Sequence, residues 1–171
     1  LKLKKELGVK SKWNILQTEE STLKTETHLA TQVLINRGFT DEQIEHFLHP
    51  NYSEGLADPA LLPDIEPAVK RILVALKKKQ KIFIYGDYDI DGITASALLY
   101  DFFTTVGLTD TEIYIPDRFE EGYGLNSEAI QSLKDQGADL VISVDGGVTA
   151  VKEAKLAKKI GLDLIITDHH D

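Results

Sequence analysis

The second half of the chain alternates short runs of apolar residues with longer amphipathic segments. The short runs predict strands that are buried on both faces, at residues 82–85, 112–115, 139–144 and 162–167. The segments between them repeat apolar residues at helical spacing and predict helices, at residues 93–106, 127–136 and 149–160. Because strands that alternate with single helices form βαβ units, we expect an α/β fold. It should contain a Rossmann-like parallel sheet with helices on both faces.

The first half of the chain predicts helices and turns. A helix is expected over residues 26–37, with Leu29, Val33 and Leu34 on its apolar face. Gly38 ends that helix, and Thr40 with Gln43 forms a capping box for a second, shorter helix. These segments predict a small helical layer in front of the sheet.

A longer helix over residues 66–79 leads into the first strand, with Asp64 as its expected N-cap. Thr149 is the expected N-cap of the last helix. We predict two domains. Residues 1–65 form an arm and the small helical layer, and residues 66–171 form the α/β domain, truncated on its C-terminal side.

Polar side chains follow every predicted strand at the point where the strand ends. Because the carboxyl ends of parallel strands meet at one edge of a sheet, where open α/β folds bind their ligands, we expect these side chains to converge. They are Asp87, Asp89, Asp91, Arg118, Asp145, Asp168, His169 and His170. Carboxylates this close together repel one another unless a cation lies among them.

Carboxylate and imidazole ligands together suit manganese, magnesium or zinc, and imidazole favours Mn²⁺ over Mg²⁺. The candidate ligands are too numerous for one closed site. We therefore expect two ions, Mn²⁺ or Mg²⁺, about 3.5–4 Å apart, with Asp145 as the natural bridging ligand. Two such ions clamp the attacking and leaving oxygens of a phosphoryl displacement, so the residues predict metal-assisted phosphoester hydrolysis.

Two other motifs share part of the turn after the first strand. Asp-x-Asp-x-Asp-Gly begins an EF-hand calcium loop, but that loop needs glutamate at its twelfth position, which here is Leu98. A strand rather than a helix also precedes the turn, which excludes the EF-hand. Asp89-Ile-Asp91 also matches the Asp-x-Asp of haloacid-dehalogenase-type phosphatases, in which the first aspartate is a nucleophile. From this turn alone that alternative stays open.

Four motifs occur in a fixed order, each directly after a predicted strand. They are Gly-Asp-Tyr-Asp-Ile-Asp-Gly at 86–92, Pro-Asp-Arg-Phe-Glu-Glu-Gly-Tyr-Gly-Leu at 116–125, Val-Asp-Gly-Gly at 144–147 and Asp-His-His at 168–170. In this order they resemble the first motifs of the DHH phosphoesterase superfamily. Within it the chain is most similar to the single-strand-specific 5′-to-3′ DNA exonucleases. The resemblance displaces the haloacid-dehalogenase interpretation, which does not explain the histidine pair.

The resemblance implies a role for each matching residue. The implied metal ligands are Asp87, Asp89, Asp91, Asp145 and His169. The implied catalytic residues are Asp89, Asp91, Asp145, His169 and His170, with His170 nearest the scissile phosphate. Asp168 is expected to orient a histidine. Gly146 departs from the family pattern, because related sequences often carry asparagine or cysteine there.

Arg118 lies in a glycine-rich loop beside the expected cluster, and the chain has only two other arginines. Its planar guanidinium suits bidentate contact with a phosphate, but a salt bridge to Glu120 or Glu121 is an equal alternative. Tyr123 in the same loop is expected either to stack on a base or to pack into the core.

Composition excludes several classes of protein. The formal net charge of −9 excludes a protein that coats polyanions through general positive charge, and the absence of cysteine excludes disulfides and zinc–thiolate sites. No apolar stretch approaches the roughly 20 residues of a membrane span. We expect a cytoplasmic monomer that binds single-stranded DNA, with replication or repair proteins as possible partners and no membrane contact.

The expected function is hydrolysis of single-stranded DNA from the 5′ end in repair and recombination. The alternatives are a DHH phosphoesterase for short oligonucleotides or cyclic dinucleotides, and a non-catalytic module that binds nucleic acid or a replication complex. The chain starts without methionine and ends just after the histidine pair, so we expect a fragment. By resemblance it lacks a later acidic motif and a substrate-binding domain. It should fold but hydrolyse DNA poorly.

Overall fold

The computed structural model describes residues 29–170. The chain divides into two compact units, Leu1–Asp58 and Pro59–Asp171. The domain boundary after residue 65 stays a prediction. The first part of the predicted 26–37 helix lies outside the described residues. No helix in the described part of the chain has the length and apolar character needed to cross a membrane.

The described part of the first unit, from residue 29 onward, contains three short helices, α1 (Leu29–Asn36), α2 (Asp41–Leu48) and α3 (Tyr52–Gly55). The capping box predicted for α2 is confirmed, because the backbone N–H of Gln43 donates to the Thr40 hydroxyl and the backbone N–H of Thr40 donates to the Gln43 side chain. The apolar face predicted for α1 is wrong in part. Leu34 is buried, but Leu29 and Val33 are exposed.

The second unit is an α/β domain with a four-stranded parallel sheet. The unit begins with a 3₁₀ turn at Pro59–Leu61. In chain order its elements are α4 (Ile65–Lys78), β1 (Ile82–Tyr85), α5 (Ile90–Thr105), β2 (Thr111–Tyr114), α6 (Ser127–Asp135), β3 (Leu140–Val144), α7 (Val151–Lys159) and β4 (Asp163–Thr167). The strand order is β2-β1-β3-β4, with Ile82 opposite both Thr111 and Leu140. The predicted fold class is confirmed.

The central strand β1 shows how helices cover both faces of the sheet. Its side chains alternate between the two faces, as in any strand. Ile82 and Ile84 pack in a core with residues of α4 and α5, whereas Phe83 and Tyr85 pack with residues of α6 and α7. All residues of β1 and β3 are buried. The flanking strands β2 and β4 are partly exposed, so burial on both faces holds only for the two central strands.

Helix α5 begins three residues earlier than predicted, at Ile90 rather than residue 93. Asp89 is its N-cap, because one carboxylate oxygen accepts hydrogen bonds from the backbone N–H groups of Asp91 and Gly92. Asp91 therefore lies in the first turn of the helix and not in the preceding turn. The predicted helix begins directly after Gly92, but a glycine within a first turn is compatible with a helix.

Two other predicted caps differ from the structure. Asp64 occupies the N-cap position of α4, as predicted, but it adopts a left-handed backbone conformation (φ 57°) and its side chain makes no capping hydrogen bond. Helix α7 begins at Val151, so Ala150 rather than Thr149 occupies the N-cap position. Both helices are nevertheless formed, since packing of their apolar faces supplies most of the stability of a helix in a protein.

Two glycines allow the turn after β1 to pack tightly against α5. A Cβ atom on Gly92 would lie 2.5 Å from the backbone nitrogen of Asp87, and one on Gly86 would lie 2.2 Å from the Ser96 hydroxyl. Real Cβ atoms do not approach other atoms this closely. The turn that carries Asp87 therefore depends on the absence of side chains at both positions.

We expect Gly92→Ala to reduce the free energy of unfolding by about 1–3 kcal/mol, because the added methyl group has to displace the Asp87 backbone. Urea denaturation measures this loss. Gly146→Ala is the control, since a Cβ there meets nothing within 4 Å. Helix propensity alone predicts the opposite sign, a gain of up to about 1 kcal/mol for Gly92→Ala, and such a gain would contradict the packing argument.

Candidate metal centre

Asp145 lies at the centre of the candidate site. It follows β3 directly, and its side chain is almost fully buried, whereas acidic side chains are rarely buried without a partner. Its backbone is in the left-handed region (φ 59°), which aspartate tolerates better than most residues. The chain turns sharply here, so the carboxylate stays at the carboxyl edge of the sheet.

Two groups of potential metal ligands share Asp145. One contains Asp87, Asp89 and Asp145, and the other contains Asp145, His169 and His170. Within each group, one ligand atom from each residue lies within 4.8 Å of the others. The convergence predicted from parallel topology is therefore present for five of the candidate residues. A position shared by two ligand groups is also what a bridging carboxylate requires.

Asp91 belongs to neither ligand group, but it lines a cavity at the candidate site. This cavity has a volume of about 670 Å³, and Asp145, Asp168 and His169 also line it. The first turn of α5 thus directs the third acid of the motif toward the space in front of the cluster.

Asp87 and Asp89 occupy different electrostatic environments. Burial raises the pKa of Asp87, and the neighbouring carboxylates Asp89 and Asp145 raise it further. The backbone N–H of Gly92 lowers the pKa of Asp89, with the N–H of Asp91 acting in the same direction. One acid is thus stabilised by a helix N-terminus, while the other is held among like charges.

Asp168 holds the ring of His170, as the expected orienting role requires. One carboxylate oxygen of Asp168 lies 2.6 Å from His170 Nδ1, and the other accepts from the backbone N–H of Val148 at 2.9 Å. Burial alone would raise the pKa of Asp168, but hydrogen bonds from Val148, His170 and His169 lower it to about 2. Because Asp168 is then an acceptor, Nδ1 of His170 carries the proton and Nε2 is left for a ligand.

His169 contacts Asp145 directly, with its Nε2 atom 3.0 Å from a carboxylate oxygen. Its side chain is otherwise largely exposed. Within residues 29–170 no lysine or arginine forms a salt bridge with Asp87, Asp89 or Asp145. Carboxylates and imidazoles with uncompensated negative charge form a donor set that suits a divalent cation.

Arg118 does not form the salt bridge considered as an alternative. Within the described residues it has no ion pair, and its guanidinium carbon lies 5.2 Å from the centre of the Tyr88 ring. Tyr88 contacts Tyr123 edge to face at 6.4 Å, and Tyr123 contacts His170 in the same manner at 6.5 Å. A row of rings therefore connects Arg118 with the cluster.

Tyr123 is 60% exposed, so it is not packed into the core.

Sequence reasoning missed Tyr88, although its position between two acids of the first motif was a signal. It also treated Glu121 only as a partner for Arg118. The carboxylate of Glu121 instead accepts hydrogen bonds from Tyr114, Asp117 and Asn126.

Comparison with known proteins supports the motif analysis. The family model described as the DHH family, N-terminal domain, matches residues 81–171. The single-stranded-DNA-specific exonuclease RecJ of Bacillus subtilis is 40% identical over 96% of this chain. The RecJ of Thermus thermophilus is 36% identical over 65% of this chain. The chain spans only 22% and 17% of the lengths of these relatives.

Solved structures agree with the sequence relatives. A crystal structure of exonuclease RecJ bound to manganese superimposes with a TM-score of 0.59 at 35% identity, over 67% of this chain and 30% of that protein. The crystal structure of RecJ from Thermus thermophilus in complex with Mn²⁺ has a TM-score of 0.59 at 27% identity, over 83% of this chain and 19% of that protein. The resemblance inferred from the four motifs is confirmed.

Proposed function

The chain belongs to the DHH family, and from that premise we propose that it is part of a divalent-metal-dependent exonuclease that degrades single-stranded DNA from the 5′ end. The observation that carries the proposal is the pair of ligand groups that share Asp145. The named activity of the RecJ relatives and the manganese bound in two of their structures support it. Repair and recombination of DNA are the processes that such an activity would serve.

The proposed metal ligands are Asp87, Asp89, Asp91, Asp145 and His169, and the proposed ions are two Mn²⁺ or Mg²⁺. When bound, such ions neutralise phosphate charge and make water more acidic. The carboxylates supply the negative charge that holds the ions, and the shared position of Asp145 suits contact with both. The raised pKa of Asp87 supports this assignment, because a cation would relieve the repulsion from Asp89 and Asp145.

His170 and Arg118 are proposed to bind the substrate phosphate. The hydrogen bond of His170 to Asp168 raises the pKa of the imidazole and fixes the direction of its ring. Because Nδ1 donates to Asp168, protonation of the ring places the second proton on Nε2, and this imidazolium N–H can donate a hydrogen bond to a phosphate oxygen. Arg118 offers a planar pair of donors, and its stacking on Tyr88 leaves those donors unpaired by any acid of the described chain.

Digestion of end-labelled DNA by the full-length native protein with Mn²⁺ tests the function. We expect a 5′ label on a single strand to be released first as a mononucleotide, and a 3′ label to be released last. A blunt duplex should resist digestion. Faster cleavage of a cyclic dinucleotide or a short oligonucleotide would instead identify another kind of DHH phosphoesterase. Binding of single strands without cleavage would identify a non-catalytic module.

Asp145→Ala should remove most Mn²⁺ binding measured by isothermal titration calorimetry, because both ligand groups lose their shared carboxylate. The matched control is Asp135→Ala, which removes an acid from the C-terminal turn of α6, near the opposite edge of the sheet. Its Mn²⁺ binding should equal that of the wild type. Equal binding by both variants would exclude a bridging role for Asp145.

Arg118→Ala should raise the KM for single-stranded DNA by about tenfold, because one charge-assisted phosphate contact is lost. It should also reduce the slope of log KM against log salt by roughly 0.7, the value for one contact to a single strand. Lys78→Ala is the control, since it removes the same charge from the last turn of α4, near the amino edge of the sheet. An unchanged slope for Arg118→Ala would rule out the phosphate contact.

A further inference from the structure

Residues 116–125, which we term the arginine loop, make up most of the connection between β2 and α6. Arg118 and Tyr123, both of which extend the row of rings that leads to His170, belong to it. Both of its glycines, Gly122 and Gly124, have positive φ angles, of 80° and 78°. A loop with this backbone has many alternative conformations in the absence of fixed contacts, so something has to hold it in one.

The carboxylate of Glu121 accepts three hydrogen bonds from three different parts of the chain. The hydroxyl of Tyr114, at the end of β2, and the side-chain amide of Asn126 both donate to Oε1. The backbone N–H of Asp117 donates to Oε2 at 2.8 Å. One side chain thus joins the end of a strand, the beginning of the arginine loop and the start of a helix.

The partners of Glu121 are themselves fixed to rigid elements. Asn126 is the N-cap of α6, and its side-chain oxygen accepts from the backbone N–H of Ala129 at 2.6 Å. The amide of Asn126 also donates to the hydroxyl of Tyr85, the last residue of β1, and that hydroxyl donates to the carbonyl of Gly124. The rings of Tyr85 and Tyr114 are in contact at 5.0 Å. The loop is therefore tied at both of its ends.

Asp117 transmits this anchoring to Arg118. The Asp117 carboxylate accepts from the backbone N–H groups of Phe119 and Glu120, and its carbonyl accepts from Glu121, which closes a tight turn around Arg118. Glu121 accepts a hydrogen bond from the backbone N–H of Asp117, the first residue of this turn. It therefore sets the direction in which the turn projects. The Tyr114 hydroxyl and the Asp117 N–H lower the pKa of Glu121, which keeps its carboxylate ionised at neutral pH.

We infer that Glu121 is a positioning residue for substrate binding. It holds Arg118 over the ring of Tyr88, and it holds the ring of Tyr123 against His170. The inference rests on the proposed function, since it concerns how the same site engages a single strand. Glu121 itself does not contact the substrate. Its ionised carboxylate is needed because the three donors require acceptors on both of its oxygens.

Glu121→Gln tests the role, because glutamine keeps the size of the side chain but has a single acceptor oxygen. At least one of the three hydrogen bonds is then lost, and an amide N–H faces a donor. Glu120→Gln is the matched control. It removes the same charge from the adjacent, exposed residue, whose carboxylate has no hydrogen bond within residues 29–170.

Binding of a 5′-phosphorylated single strand by the full-length native protein, measured by fluorescence anisotropy in EDTA, gives a readout that does not depend on metal or turnover. We expect Glu121→Gln to raise the Kd about tenfold, as Arg118→Ala does, while Glu120→Gln stays within about twofold. The double variant of Glu121→Gln with Arg118→Ala should bind no more weakly than Arg118→Ala alone, because both changes remove the same contact. With Mn²⁺ present, KM should rise and kcat should change little.

Additive losses in the double variant would overturn the inference, and so would wild-type binding by Glu121→Gln. Tyr114→Phe provides a second test if Glu121→Gln does not fold. It removes one donor to Glu121 without changing charge, so its Kd should rise by about two- to threefold. The double variant of Tyr114→Phe with Arg118→Ala should again bind no more weakly than Arg118→Ala alone. A wild-type protein that neither binds nor digests single strands would contradict the proposed function itself, whereas normal digestion by Glu121→Gln contradicts only the role of Glu121.

Discussion

The mutual repulsion of carboxylates at one edge of a sheet is the constraint on which the rest of this structure depends. Asp87, Asp89 and Asp145 lie within a few ångströms of one another, and two of them are buried. In a medium less polar than water, such charges repel strongly. The arrangement persists because backbone N–H groups stabilise individual acids and because a divalent cation can be held among them.

Each of these backbone contacts is supplied by a specific local structure. Asp89 caps α5, so the N-terminus of that helix stabilises its charge. Asp168 receives the N–H of Val148 from the turn after β3, and the backbone N–H of Tyr88 donates to the Asp87 carboxylate. The acids are thus held in place before any ion binds, which reduces the conformational entropy that binding would otherwise cost.

The arginine loop shows the same principle in the part of the site for which we propose substrate binding. Its glycines permit the turns that the loop needs, while Glu121 removes the conformational freedom that those glycines introduce. Arg118 can then rest on an aromatic ring, where its guanidinium is supported by a cation–π contact rather than neutralised by an acid. An arginine whose charge is not paired within the described chain remains available to a phosphate.

The sequence by itself determined the fold class and named all five residues of the two ligand groups among its candidates. Apolar runs placed the strands to within one residue of their observed ends, and the residues that follow parallel strands must meet at one edge. For this reason Asp87, Asp145 and His169 could be brought together without coordinates. The order of the four motifs was equally visible, because it depends only on chain order and on local residue types.

The tertiary structure decided the contacts that depend on distances between segments. Whether Asp89 or Gly92 begins the helix depends on how the turn packs against α5, and hydrophobic periodicity does not contain that information. The hydrogen-bond partners of Glu121 come from β2, the arginine loop and the start of α6. The pattern of charges along the sequence indicates only the neighbouring Arg118 as a partner, and it does not show these three donors. Periodicity reports which way a side chain points, whereas pairing between side chains requires the three-dimensional separation of their backbones.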